Sequence, residues 1–240
     1  MLDGRSFSQM VKNKMQKPFD GRFVQMMNET AKYLCERVQG CKLAYVQSDE
    51  ISLLLTDING GDVFFGGRLC KMQSIIASMA TAKFNQLMTI YHTEVDPNRS
   101  ISTIPLYNFD CKVWCVPNAN DAFAWFLYRQ IDCVKNSKQQ VAQTYIPHKE
   151  LVGKPADEQI AYLLEKKGIS WENDFTGGVK YGRFIVKQPQ EMTTFVEKLN
   201  KEVNFTRDAW TAIDGFPLTE EENAVRLKEI VNQYQDRDIL

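Results

Sequence analysis

Apolar residues at Phe23, Met27, Ala31, Leu34 and Val38 recur every three or four positions, so 19–38 predicts an amphipathic helix. Asp20 is placed to cap its start, and Gly40 stands just past its end. Two short β-rich runs, 43–46 and 51–55, flank the polar turn Gln47-Ser48-Asp49-Glu50 and predict a hairpin with two acids at its tip. Beyond the glycine-rich stretch at 60–67, Leu69, Met72, Ile76, Met79, Ala80 and Phe84 mark a second amphipathic helix, to about His92. Residues 93–108 read as loop, 109–116 as a strand and 121–137 as a third helix. That helix carries Phe123, Trp125, Phe126 and Tyr128, which helical spacing assigns to core rather than to base stacking. Near residue 145 the pattern changes. A helix over 155–167 follows, with Gly168 past its end. A strand over 179–186 comes next, and a last helix opens at Thr219 with Glu222 at capping-box spacing.

The order strand, helix, strand, strand, helix, strand over 1–116 is the split βαβ or ferredoxin-like pattern. The expected class is α+β: an antiparallel sheet with helices on one face in a unit of residues 1–145, and a smaller α/β extension over 146–240 packed on it. Only Met1 and Leu2 precede Asp3, so the expectation is either a very short first strand or a chain that begins late. In this topology its end lies beside the turn joining strands two and three, so Asp3 is expected to meet Asp49 and Glu50. Three converging carboxylates repel one another unless a hard divalent cation, above all magnesium with nucleotide phosphates, neutralises them. The plainer alternative is that these acids are simply solvated. Around them, Gly4 lets the backbone N–H groups of Arg5, Ser6, Phe7 and Ser8 approach an anion. Arg68 and Lys71 share a face near a helix start, and Lys17 precedes the first helix. Each cation alone reads as solvated surface charge; together they resemble a triphosphate site.

Composition narrows the rest. A chain of 240 residues with 44% apolar and 25% charged residues can bury a core, which excludes disorder, collagen and a small disulfide scaffold. A net charge of -1 leaves any polyanion to local patches. Apolar runs are far shorter than the roughly 20 residues of a membrane span, and the first thirty residues lack a signal-peptide pattern. A soluble, cytoplasmic protein with no membrane partner is expected. Six cysteines without a CxxC pair read as reduced core thiols, and two histidines offer no zinc-site spacing. The bases open to a polyanion are Lys12, Lys14, Arg22, Arg129, Lys135, Lys138, Lys180, Arg183 and Lys187. The segments around 129–138 and 180–187 are expected to meet an RNA backbone. Residues 219–240, with six acids and three bases, are not.

Several blocks carry a resemblance. Leu2-Asp3-Gly4-Arg5-Ser6-Phe7, Lys17-Pro18-Phe19-Asp20 and Tyr45-Val46-Gln47-Ser48-Asp49-Glu50-Ile51-Ser52 resemble the RLDGRxF, KPxD and YxQSDExS blocks of the tRNA-histidine guanylyltransferase family. Arg68-Leu69-Cys70-Lys71 is similar to its RxxK, Phe109-Asp110-Cys111-Lys112 to its FDxR, and Tyr128-Arg129-Gln130-Ile131-Asp132-Cys133 to its WRQxDC block. The resemblance spans about residues 2–137. It implies a polymerase-like palm that adds nucleotides 3′-to-5′ to the 5′ end of tRNA, after activation of the 5′-phosphate with ATP. Two Mg²⁺ ions would be held by Asp3, the Gly4 carbonyl and Asp49, with Glu50 supporting the acids. Residues 3–8 with Ser48 would hold the triphosphate of GTP or ATP, Lys17, Arg68 and Lys71 would neutralise it, and Asp20 would read a purine edge. Arg129, Lys135, Asn136, Lys180 and Arg183 would face tRNA, and a homotetramer is implied.

Two departures matter. Where eukaryotic-type members have HINxxYN, this chain reads Val134-Lys135-Asn136-Ser137-Lys138-Gln139-Gln140, so the histidine is missing. This resembles the bacterial and archaeal branch, whose implied work is templated repair of 5′-truncated tRNA with GTP preferred, rather than addition of the extra 5′ G to histidine tRNA. In the FDxR block, Lys112 keeps the charge of Arg but loses its fork. Two rivals use the same residues differently: a palm-fold nucleotide cyclase that needs no RNA, and a non-catalytic RNA-binding protein.

Overall fold

The computed structural model describes residues 1–7, 16–56, 63–196 and 200–232. Its strands are β1 (Leu2–Gly4), β2 (Cys41–Gln47), β3 (Glu50–Leu55), β4 (Phe109–Cys111), β5 (Arg183–Val196) and β6 (Lys201–Asp214). Its longer helices are α1 (Gly21–Arg37), α2 (Leu69–Val95), α3 (Ala119–Tyr145), α4 (Ala156–Lys167) and α5 (Glu221–Asn232). Among the described residues the strands form one sheet in the order β4-β1-β3-β2-β5-β6, every pair antiparallel. The first four strands have the expected ferredoxin-like order, and β5 and β6 extend the same sheet past β2.

Local chemistry explains the elements. Asp20 caps α1, its Oδ1 accepting from the backbone N–H of Arg22 at 2.9 Å and of Phe23 at 3.2 Å. Leu2, Ala44, Val46, Ile51 and Phe109 point to the α1 and α2 side, where Met27, Leu34, Ile76 and Phe84 meet them. Leu43 and Tyr45 point the other way, onto Phe126 and Cys133 of α3 and Leu227 of α5. Helices therefore cover both faces rather than one, because β2 is apolar at successive positions and needs cover on each side.

Four boundaries differ from the sequence pattern. The strand expected over 109–116 stops at Cys111, the residue paired with Leu2, and the Lys112 N–H donates to the Met1 carbonyl at 2.8 Å. The third helix runs on to Tyr145 because Val141 and Ala142 bury against Leu163 of α4 and Trp171. Val179 and Lys180 belong to a helical turn, Gly177–Lys180, and β5 starts only after Gly182, whose φ of +74° and contact with the Tyr45 ring leave no room for a Cβ. The last helix opens at Glu221, two residues later than expected, the Glu220 carbonyl accepting the Ala224 N–H at 3.1 Å. The β5–β6 hairpin, paired from Arg183↔Asp214 to Val196↔Lys201, was not foreseen, and only 183–185 pairs with β2. All six cysteines are free, yet Cys70 and Cys115 are exposed, so the thiols are not all core. No helix among the described residues is long and apolar enough to cross a membrane.

One buried polar side chain ties the C-terminal segment to α3. Gln130, 2% exposed, donates to the carbonyls of Tyr181 (3.2 Å) and Phe216 (3.0 Å) and accepts from the Leu218 N–H (2.7 Å). Gln130→Leu keeps the volume but strands two carbonyls and one N–H, so urea unfolding is expected to show a loss of about 3 kcal/mol. A loss below about 0.5 kcal/mol would show that this residue does not tie the segments together.

Candidate active site

The antiparallel register builds the site. Asp3 pairs with Glu50 on β3 and with Asp110 on β4, so three carboxylates lie side by side across β4, β1 and β3 on the α3 face. Directly opposed residues on such a ladder have Cβ atoms about 5 Å apart. Asp49 joins them from the β2–β3 turn, where its carbonyl accepts the Gly4 N–H at 3.0 Å and Ser48 turns the chain at φ 47°. The expected meeting of Asp3, Asp49 and Glu50 is therefore present, with Asp110 as a fourth acid.

These acids are not equivalent. Glu50, 8% exposed, is gripped by Arg129 of α3, with Nε to Oε1 at 2.8 Å and Nη2 to Oε2 at 2.5 Å. Arg129 also reaches Asp132 at 3.1 Å. Asp3 differs: partial burial, then Asp110 and Glu50, raise its pKa against Lys112 and Arg129, which act to lower it. Burial also raises that of Asp49, with Asp3 and Glu50 adding to it against hydrogen bonds from its own N–H and from Ser48. Asp3 and Asp49 are thus acids whose ionised form the fold disfavours on balance, and their hard oxygens suit a divalent cation. Among the described residues no three Asp, Glu, His or Cys side chains form a ready metal set. A cation there would complete its shell with main-chain, water or phosphate oxygens, as magnesium does.

The remaining expected residues divide. Gly4 is required by packing: a Cβ there would lie 2.7 Å from the Phe7 ring. Phe7 itself is fully buried among Phe23, Phe84, Tyr107 and Phe109, so its side chain belongs to the core and not to a ligand. The Arg5 N–H, expected to face an anion, is taken by the Asn108 carbonyl at 2.9 Å, while its side chain is exposed. Ser6, at φ 62°, turns the chain away from β1. Ser8, Lys12 and Lys14 lie outside the described residues. Lys17 is exposed beside the start of α1. Burial opposes ionisation of Asp20, but backbone N–H groups of Gln16, Phe23 and Arg22 hold its carboxyl below its ordinary range, so its first task is the helix cap.

Arg68 and Lys71 are not brought to the acids. Thr81 of α2 meets the start of β4, its Oγ1 accepting the Phe109 N–H at 3.1 Å. Arg68 stands thirteen residues earlier, about 20 Å along the helix axis. There its Nε donates to the Phe65 carbonyl and Lys71 lies over the Phe65 ring at 4.5 Å. Two expected RNA contacts are likewise spent inside the protein. Arg129 holds Glu50, and Arg183, 16% exposed beside Asp214 at 4.0 Å, has its pKa lowered by burial. Lys180 donates to the Glu172 carbonyl at 2.6 Å, whereas Lys135 and Asn136 stay exposed on α3.

Beside the Asp49 turn a small pocket opens between α1, β2 and α3, lined by Asp20, Gln47, Ser48, Asn136, Gln140 and Arg183 among others. In the sequence Asp110 stands out only as part of the Phe109-Asp110-Cys111-Lys112 block. Alternation along β4 combined with its antiparallel register against β1 was the signal that would have placed it with Asp3.

Comparisons with known proteins agree with this fold. The family described as tRNAHis guanylyltransferase matches residues 1–117. A bacterial tRNA(His) guanylyltransferase-like protein in complex with ATP superposes with a TM-score of 0.75 at 31% identity, covering 94% of this chain and 86% of that one. Another such structure, in complex with GTP, gives 0.71 at 29% identity, covering 96% and 87%. The tRNA(His) guanylyltransferase of Neurospora crassa is 29% identical over 137 residues, 57% of this chain and 44% of its own length. The probable tRNA(His) guanylyltransferase of Homo sapiens is 27% identical over 228 residues, 90% of this chain and 74% of its own.

A carboxyl whose pKa is raised by folding favours its protonated form, so above the ordinary carboxylate range its ionisation lowers stability. Asp49→Asn removes that cost and is expected to raise Tm at pH 7 when no divalent cation is present. Magnesium should then raise Tm of the unsubstituted protein and leave Asp49→Asn unchanged. Equal shifts in both would move the cation away from these acids.

Proposed function

Because the chain belongs to the tRNAHis guanylyltransferase family, whose members are nucleotidyltransferases, we propose that it extends the 5′ end of tRNA in the 3′-to-5′ direction as a templated repair reaction. The observation that carries this reading is the row Asp110, Asp3 and Glu50 with Asp49 at its end, in which Arg129 grips Glu50 in a close ion pair and leaves Asp3 and Asp49 with raised pKa values. Asp3, Asp49 and the Gly4 carbonyl would hold two Mg²⁺ ions. When bound, these ions lower the pKa of the attacking hydroxyl and neutralise charge on the leaving group. In the first step a 5′-phosphate oxygen of tRNA attacks the α-phosphorus of ATP and pyrophosphate leaves. In the second, the 3′-oxygen of GTP attacks the activated 5′-phosphorus, AMP leaves, and the triphosphate of that GTP becomes the new 5′ end.

The chain's own residues prepare these steps. Arg129 removes the charge of Glu50 from the ligand set and holds that side chain beside Asp3. Arg5 and Lys17, both exposed, would take the triphosphate, and the pocket bounded by Asp20, Gln47 and Ser48 would receive a base. Templated repair is favoured over untemplated G addition by the segment that replaces HINxxYN, which is engaged in packing. Ser137 accepts from the Trp171 indole N–H at 3.0 Å, Lys138 pairs with Asp157 at 2.6 Å, and Gln140 donates to the Pro18 carbonyl.

The test uses Mg²⁺, ATP and labelled GTP with a tRNA lacking its first nucleotide opposite a template C, against full-length histidine tRNA. Incorporation is expected in the shortened tRNA alone, falling about a hundredfold or more in Asp3→Ala and Asp49→Ala. Preference for intact histidine tRNA would make the reaction addition of the extra G, and a cyclic product without RNA would make it a cyclase. Absence of any product would end the enzymatic reading.

A further inference from the structure

We propose that Trp114, Trp125 and Tyr128 form a stacking ledge for the unpaired bases at the RNA end that the acids act on. The inference deepens the repair reading and rests on it. The aromatics of α3 were expected to be core, and Phe126 is. Tyr128, however, is 60% exposed, and Trp114, from the segment after β4, is 40% exposed. The Trp114 and Trp125 ring centres lie 4.4 Å apart at 68°, and those of Trp125 and Tyr128 lie 5.9 Å apart. Three rings thus form one continuous aromatic surface with part of it open.

Its position ties it to the chemistry. The Trp125 indole N–H donates to Ser52 Oγ at 3.3 Å, and Ser52 Oγ donates to Glu50 Oε1 at 3.4 Å. Ser52 follows Glu50 by two residues on β3, so the ledge begins one step, about 7 Å, from the acid row on the same face. Arg129, the residue that holds Glu50, lies 5.9 Å from the Trp125 ring centre and 5.4 Å from that of Tyr128. Lys135, two helical turns beyond Tyr128, and Lys112, two residues before Trp114, are both exposed and can meet phosphates at either side. Flat rings flanked by cations suit single-stranded RNA, whose bases offer open faces, and not a duplex, whose bases already stack on one another. A template base left unpaired by loss of the 5′ nucleotide is such a face.

Binding without nucleotide separates this inference from catalysis. Two RNA hairpins are compared by mobility shift and tryptophan quenching, one blunt and one shortened by a single 5′ nucleotide. The shortened hairpin is expected to bind more tightly and to quench. Trp114→Ala and Tyr128→Ala are each expected to weaken it about tenfold, with under about twofold change for the blunt hairpin, and Tyr128→Phe is expected to bind normally. Equal losses on both RNAs, or none, would overturn the ledge. A fall in assembly mass on sedimentation of the alanine variants would also overturn it, by assigning the rings to a second copy of the chain. If the discrimination holds while the unsubstituted protein incorporates no nucleotide, the enzymatic reading fails and the ledge stands.

Discussion

The pairing of β1 with β3 on one side and β4 on the other is the constraint that the site depends on. Only three residues make this strand, yet its register decides which side chains face α3. Leu2 is buried on the opposite face with Phe7, Phe84 and Phe109. A slip of one residue would turn Asp3 into that aromatic core and Leu2 out among the acids, which the cost of burying an unpaired charge forbids. The Gly4 N–H bond to the Asp49 carbonyl and the Phe7 ring under Gly4 Cα reinforce the same register from the end nearest Asp49.

Charge at the site is arranged in the same spirit. Four acids brought side by side by strand pairing would oppose folding if all were bare. Arg129 compensates one of them through two short bonds, largely out of solvent, where such a pair is held by geometry and loses heavily if one partner is removed. The deficit left over is concentrated on Asp3 and Asp49. Local electrostatic strain of that kind is what the divalent cation proposed for this site would relieve.

The segment after residue 145 contributes to the same sheet and to the same face. β5 pairs with β2, and Gln130 binds the carbonyls on either side of the β5–β6 hairpin. Through α3 the C-terminal packing is therefore connected to Arg129, one residue away from Gln130, and so to Glu50.

The sequence by itself determined the helices α1 and α2, the β2–β3 hairpin and the strand order of the first four strands, because helical and alternating periodicities are local and each apolar face needs one core. It also determined that Asp3, Asp49 and Glu50 would meet, since topology alone brings a strand end to a hairpin turn. Only the tertiary structure decided that Asp110 joins them, that Arg129 and Arg183 are turned inward, and that Arg68 and Lys71 stand far along α2 from the acids. An arginine's periodicity is the same whether it faces water or a buried carboxylate. Which it meets depends on segments distant in sequence and adjacent in space, such as α3 laid across β3, and no local pattern records that crossing.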